Sequence, residues 1–144
     1  MSSEVLYFEF FEAFEKAETR ADKVEMLRKY ANNRFIDFLA GAFDPNIEFD
    51  VEIPNYKPSL DPAGLTMTNL EMEVPKLYRF VKNHPMRPSG LTAKRQTELL
   101  LVILESMHHK DSELLVGMLK KKLPIKGLTS KLVNEAFPQI YVGD

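Results

Sequence analysis

The amino-acid sequence predicts an all-α fold, and three observations carry that expectation. Apolar residues recur at helical spacing through most of the 144 residues. Residues suited to helix capping, Thr92, Asp111 or Ser112, and Thr129, stand ahead of the last three periodic runs. Only "IEFDVEIP" alternates as a strand does, and no second run is available to pair with it. The expected architecture is a compact single domain over residues 1–144, with six to seven helices and one short extended segment. A chain of this length buries about two thirds of its unfolded surface without help from metals or disulfides.

The first helix is expected from Ser2 to about Ala17, where Leu6, Tyr7, Phe10, Phe14 and Ala17 share a face opposite Glu9, Glu12, Glu15 and Glu18. A second starts near Arg20 or Ala21 and carries Val24, Leu27 and Ala31. "RFIDFLAGAF" continues it or forms a third, ended by Gly41 and Pro45. In "IEFDVEIP", Ile47, Phe49, Val51 and Ile53 alternate with Glu48, Asp50 and Glu52, so an extended segment lying over helices is expected. Pro54, Pro58 and Pro62 mark a long loop. The next helix spans about Thr68 to Val81, kinked or started late by Pro75. After the loop "NHPMRPSG", Thr92 to about His108 is apolar nearly all round and is the expected central helix. Asp111 or Ser112 caps the following helix, to about Lys121, and Thr129 the last, to about Ala136.

The chain has no cysteine, which excludes disulfides, thiolate metal sites and a cysteine nucleophile. Glu4 stands where a secretory signal would carry positive charge, and no apolar run exceeds "LLLVIL", so a cytoplasmic protein with no membrane partner is expected. The net charge of −2 conceals an asymmetry. Residues 1–81 carry nine Lys/Arg against fifteen Asp/Glu, and residues 82–137 ten against five. Such a division suits an anion-binding end on a soluble body, or two halves that attract each other.

No catalytic constellation is present. The sequence lacks a Walker-type loop, a dinucleotide fingerprint and a nucleophile elbow. The pair His108-His109, followed by Asp111, has no third or fourth metal ligand at suitable spacing, and adjacent histidines point about 100° apart on a helix. The expectation is a non-enzyme with no metal and no cofactor. Gly-Leu-Thr occurs at Gly64, Gly90 and Gly127, each ahead of a helical pattern. The plainest reading of each is a loop ending in a threonine cap. The second and third also have cations nearby: Lys94 and Arg95 follow Thr92, while Lys126 and Lys131 flank Thr129, behind Lys120, Lys121 and Lys122. Outward-pointing first-turn amides, a hydroxyl and lysines together suit a phosphate. Separately, Glu48, Asp50 and Glu52 would project about 6.6 Å apart on an extended segment, a spacing suited to a basic protein partner.

"KKKLPIKGLTSKLVNEAFPQI" resembles the end of the N-terminal DNA-binding domain of ATP-dependent DNA ligases of the T-even phage type. The matching positions are Leu123, Gly127, Thr129, Asn134, Phe137, Pro138 and Ile140. Lys122 stands where that family has an acid, and Gln139 where it has glycine. The resemblance implies an all-α module contacting the duplex backbone, with Gly127, Thr129, Ser130 and Lys131 as phosphate neighbours. The chain also resembles small proteins of T-even-like marine phages, which implies a phage protein working in the host bacterial cytoplasm. A second likeness, to the Leu-Pro-Gly-x-Gly turn of helix-hairpin-helix elements, has Ile125 in place of the first glycine. These residues contain no Lys-x-Asp-Gly motif, so ligase chemistry is not expected of them. Duplex DNA is thus the leading expected partner, and a host or phage protein the alternative. Phe137 and Pro138 are expected to pack.

Overall fold

A computed structural model describes residues 5–143. Among the described residues seven α-helices follow one another: α1 (Tyr7–Lys16), α2 (Arg20–Tyr30), α3 (Asn33–Phe43), α4 (Leu70–Glu73), α5 (Ala93–Glu105), α6 (His109–Leu119) and α7 (Ser130–Ala136). A 3₁₀ segment, Val74–Phe80, extends α4. The all-α expectation holds, with no sheet among the described residues.

Local chemistry sets most boundaries. The Leu6 amide donates to Glu9 Oε1 at the start of α1, and the part of the expected first helix at residues 2–4 lies outside the described residues. Thr19 and Asn32 cap α2 and α3 by accepting from the amides of Asp22 and Phe35, so "RFIDFLAGAF" belongs to a separate third helix. Pro75 lacks the amide that an α-helix would use, and the chain passes into the 3₁₀ segment there. Gly41 does not end α3. It lies buried within the helix, where a Cβ would come 3.1 Å from Met118 Sδ and 3.3 Å from Phe49 Cζ. The missing side chain lets α3 and α6 approach.

The core begins as an aromatic cluster. Tyr7, Phe10, Phe11, Phe35 and Phe38 are buried, with Phe10 stacked on Tyr30 at 4.2 Å and Tyr7 edge-on to Phe35 at 5.3 Å. The helix expected at its centre is not the one found there. In α5, Gln96, Leu100, Ile103 and Leu104 are buried, but Val102 is 63% exposed. The central element is α6, which packs on α1, α3, α4 and α5. An all-round apolar run reports how much apolar surface a helix offers, whereas centrality depends on how many neighbours surround it.

Asp111 explains part of that centrality. The sequence suggests it as the cap of its own helix, yet His108 occupies that position and Asp111 is fully buried in the first turn. Its Oδ1 accepts from the Phe8 amide at 3.2 Å and its Oδ2 from the Leu70 amide at 3.1 Å. One carboxylate therefore satisfies first-turn amides of both α1 and α4. Ser112 Oγ donates to the Leu104 carbonyl at 2.6 Å, joining α6 to α5.

The segment around Phe49 is extended, as expected. The Asp50 amide donates to Phe80 O at 2.7 Å and the Lys82 amide to Glu48 O at 2.8 Å, forming a single antiparallel bridge, Phe49 with Val81. Ile47, Phe49, Val51 and Ile53 are half-buried, while Glu48, Asp50 and Glu52 are exposed. The proline-rich loop is pinned to the α5–α6 junction by the Lys57 amide on Glu105 and the Thr68 amide on Ser106 O.

Burial pushes the Asp111 carboxyl up to about 6 from 3.8, with the Leu70 and Phe8 amides opposing and the Glu9 charge adding. The folded state then holds this proton more tightly than the unfolded chain. Its stabilising contribution is full below about pH 4 and is lost as pH rises through about 6, by ~3 kcal/mol in all. Urea unfolding at pH 4 and pH 7 should show Asp111→Asn losing less stability over that interval than the unsubstituted chain. Parallel curves would mean the carboxyl titrates normally. Asp111→Ala should cost about 2–5 kcal/mol, because it strands two buried amides.

Candidate nucleic-acid interface

The end of α6 decides the fate of the lysine run. Lys121 has φ of 61°, its amide donates to Met118 O, and the Lys122 amide donates back to Gly117 O at 2.8 Å. This paired closure is a Schellman motif with lysine at the left-handed position glycine usually takes. Gly117 permits the reversal, since a Cβ there would lie 2.9 Å from both Lys122 O and Pro124 Cδ. The turn sends the Lys121 ammonium to the carbonyls of Gly41 and Asp44, the latter at 3.0 Å, and 5.1 Å from the Phe49 ring centroid. It thereby caps the C-terminal end of α3, where a cation suits the helix dipole. Burial pushes its pKa down, with the Asp44 and Glu48 charges opposing. Lys121 thus holds the end of α3 while remaining exposed. Lys120 and Lys122 are exposed.

The following loop packs onto the first two helices. Ile125 is buried, and the Lys126 amide donates to Glu15 Oε2 at 2.7 Å. Gly127 has φ of +87°, and a Cβ on it would lie 2.5 Å from Lys23 Nζ. Lys23 of α2 thus rests against the Gly127 backbone, also 5.5 Å from the Phe14 ring centroid. Thr129 Oγ1 accepts from the Leu132 amide at 3.2 Å. Its lone pair is used in capping, while the Ser130 and Lys131 side chains are exposed and their first-turn amides have no acceptor within the helix.

The other end of α7 is fastened to α2. Arg28 Nη2 donates to Glu135 O at 2.9 Å and Nε to Ala136 O at 3.2 Å, and Arg20 pairs with Glu135 at 2.7 Å. Asn134 Nδ2 donates to Ile140 O at 3.1 Å. Phe137 and Ile140 are buried, but Pro138 is exposed, so only the first of the Phe-Pro pair packs.

The three Gly-Leu-Thr stretches separate. Thr92 and Thr129 are caps, whereas Thr66 donates to Thr68 O and Asn69 caps α4. Thr92, Lys94 and Arg95 begin α5, with Arg95 paired to Glu98 at 3.4 Å. No hydrogen bond or ion pair among the described residues joins them to the Gly127 loop. The structure therefore brings together Lys126, Gly127, Thr129, Ser130 and Lys131, and adds Lys23. Sequence reasoning missed Lys23 because only the packing of α2 against α7 brings it near. Elsewhere, Asp50 pairs with Arg87 at 3.5 Å, leaving Glu48 and Glu52 as the exposed acids of the extended segment without an ion pair among the described residues.

His108 stacks between Phe8 and His109 at 4.2 and 4.3 Å, and its Nδ1 accepts from the Lys110 amide. Burial pushes its pKa down, the His109 and Lys110 charges adding to the effect and Glu9 and Glu12 opposing. No group of three or more His, Asp or Glu among the described residues is placed to hold a metal ion. No helix among them is long and apolar enough to cross a membrane.

Residues 10–124 match the family model of DUF6433, a family of unknown function. The chain belongs to DUF6433. The matched residues run from α1 to Pro124, so they include the Lys121 turn and stop before Lys126 and α7. No curated protein and no solved structure matches the chain.

The three neighbouring lysines should separate in a stability measurement. Lys121→Ala should lower the unfolding free energy by about 1–3 kcal/mol, the range for losing charge-assisted hydrogen bonds. Lys120→Ala and Lys122→Ala should stay within about 0.5 kcal/mol of the unsubstituted chain. Equal effects at all three would remove the structural role assigned to Lys121.

Proposed function

We propose that the chain is a non-catalytic module that binds the phosphate backbone of duplex DNA without reading its sequence. The observation that supports this most directly is the gathering of Lys23 from α2 and Lys126 beside Gly127, with Lys131 four residues further on. The free amides of Ser130 and Lys131 and the Ser130 hydroxyl complete a donor-rich, cationic surface. Gly127 has no side chain of its own and Lys23 rests against its backbone, so an approaching phosphate meets amide and ammonium groups together. Lys120 and Lys122 add charge from the end of α6. The resemblance of Leu123–Ile140 to the ligase DNA-binding domain points the same way.

Glu15 sets a limit on affinity. Its carboxylate holds the Lys126 amide, so an anion reaching this loop also meets a negative charge. Binding of this kind is weak at physiological salt and depends steeply on ionic strength. Fluorescence anisotropy with a labelled nicked duplex and an intact duplex should show it. Replacing Lys23, Lys126 and Lys131 together by Gln should lower affinity at least about tenfold at low salt and flatten the salt dependence by two to three counterions, roughly one for each phosphate no longer neutralised. An unchanged slope would sink the assignment. A preference for the nicked duplex would tie the module to ligase-like work.

A second reading has its own observation. Glu48 and Glu52 project from a segment whose Ile47, Phe49, Val51 and Ile53 are turned inward, presenting an acidic edge to a basic host or phage protein. Reversing Glu48, Asp50 and Glu52 to Lys should abolish capture of such a protein by the immobilised chain. Capture that survives reversal would eliminate this edge as the binding surface.

A further inference from the structure

We propose that the groove between α4 with its 3₁₀ extension and α5 is a docking site for a short peptide segment that is both apolar and acidic. Its floor and walls carry large apolar side chains that the fold leaves uncovered. Met67 is 90% exposed, Met72 54% and Val102 63%, and Leu99 is half-buried beside them. All four line one groove of about 520 Å³, with Ile103 at its base. Single exposed apolar residues are ordinary, but several lining one concavity are characteristic of an interaction surface. Two of the four are methionines, whose unbranched thioethers reshape around different apolar partners.

The rim specifies the partner's charge. Lys76 and Arg79 from the 3₁₀ segment and Arg95 from α5 line the groove. Glu73 is the acid among the lining residues, and its side chain is turned inward: Oε2 accepts the Thr68 hydroxyl at 2.7 Å and lies 3.8 Å from Lys76 Nζ. Glu98 engages Arg95 at 3.4 Å, with both side chains at least half exposed, an ion pair of the kind that a ligand displaces at little cost. Arg79 has no carboxylate partner among the described residues; its Nε donates to Lys76 O at 3.0 Å. Apolar anchors from a partner would fill the floor while its carboxylates meet these cations, a division between centre and rim usual in peptide recognition. DNA would gain little from the floor, since phosphates and sugars do not use it. The site is also separate in composition from the Gly127 loop, sharing no residue with it.

The test uses the full chain and a displayed library of random peptides about a dozen residues long, selected on the unsubstituted protein and on Met67→Glu and Val102→Glu. Both substitutions fall on exposed positions, so the fold should persist, which circular dichroism would verify. The expected result is enrichment of sequences combining Leu, Ile or Phe with Asp or Glu, captured by the unsubstituted chain and lost on both variants. A synthetic peptide from that pool should bind at least about tenfold more weakly to Arg79→Glu, and its Asp/Glu-to-Lys counterpart should not bind. No enrichment, enrichment of basic sequences, or capture indifferent to Val102→Glu would overturn the proposal. Concentration-dependent dimers in ultracentrifugation that vanish in Val102→Glu would overturn it in favour of a second copy. If Arg79→Glu lowers duplex affinity while Met67→Glu does not, the rim belongs to a DNA surface and the proposal fails. Substituting Lys23, Lys126 and Lys131 should leave peptide binding unchanged, which keeps this outcome independent of the DNA reading.

Discussion

The buried carboxylate of Asp111 is the constraint on which the arrangement of helices depends. It reaches out of α6 to hold first-turn amides of α1 and α4, at sequence separations of 103 and 41 residues. A helix start buried against a neighbour leaves amides that water cannot reach, and each unsatisfied one costs about 1–3 kcal/mol. The two carboxylate oxygens answer one amide each. Its own desolvation is the cost of that geometry, and it appears as the raised affinity for a proton. Tyr7, beside this junction, shows the alternative: its hydroxyl is buried with no hydrogen-bond partner among the described residues.

Two glycines and a lysine complete the frame. Gly41 lets α3 lie close to α6, and Gly117 lets the chain leaving α6 fold back across it. Lys121 then closes the loop by pinning the end of α3 from the end of α6. The cation at the centre of a basic run is thus the one the fold itself engages, because a left-handed turn aims it at open carbonyls. Charge in a sequence reports what is available for attraction; the turn decides what it attracts.

The two proposed surfaces lie where this frame leaves donors or apolar groups unanswered. The Gly127 loop offers ammonium groups and amides with little apolar area, a composition suited to phosphates. The α4–α5 groove offers apolar area ringed by cations, a composition suited to an acidic peptide. The two share no lining residue, so the proposed partners would not compete for the same side chains. Membership of DUF6433 covers the groove and the Lys121 turn, while the Gly127 loop follows the matched residues.

Helical periodicity, one run of strict alternation, capping residues and proline positions were enough to determine the helical class, the extended Phe49 segment and the break at Pro75, because those features depend on neighbours in the chain. The caps at Thr92 and Thr129 are legible for the same reason. Others were decided only by tertiary structure. Gly41 reads as a helix end until Met118 and Phe49 fill the space beside it. Asp111 reads as a local cap until the amides of Phe8 and Leu70 arrive at its oxygens. The run around Leu100 reads as the centre of the core, yet Val102 faces solvent because no element among the described residues covers that side of α5. Lys23 carries no signal at all in the sequence, since its nearness to Gly127 exists only through the packing of α2 on α7. Backbone preference acts over a few residues and is written in order along the chain; satisfaction of buried polar groups and the covering of apolar faces depend on which segments meet, and only the folded molecule specifies that.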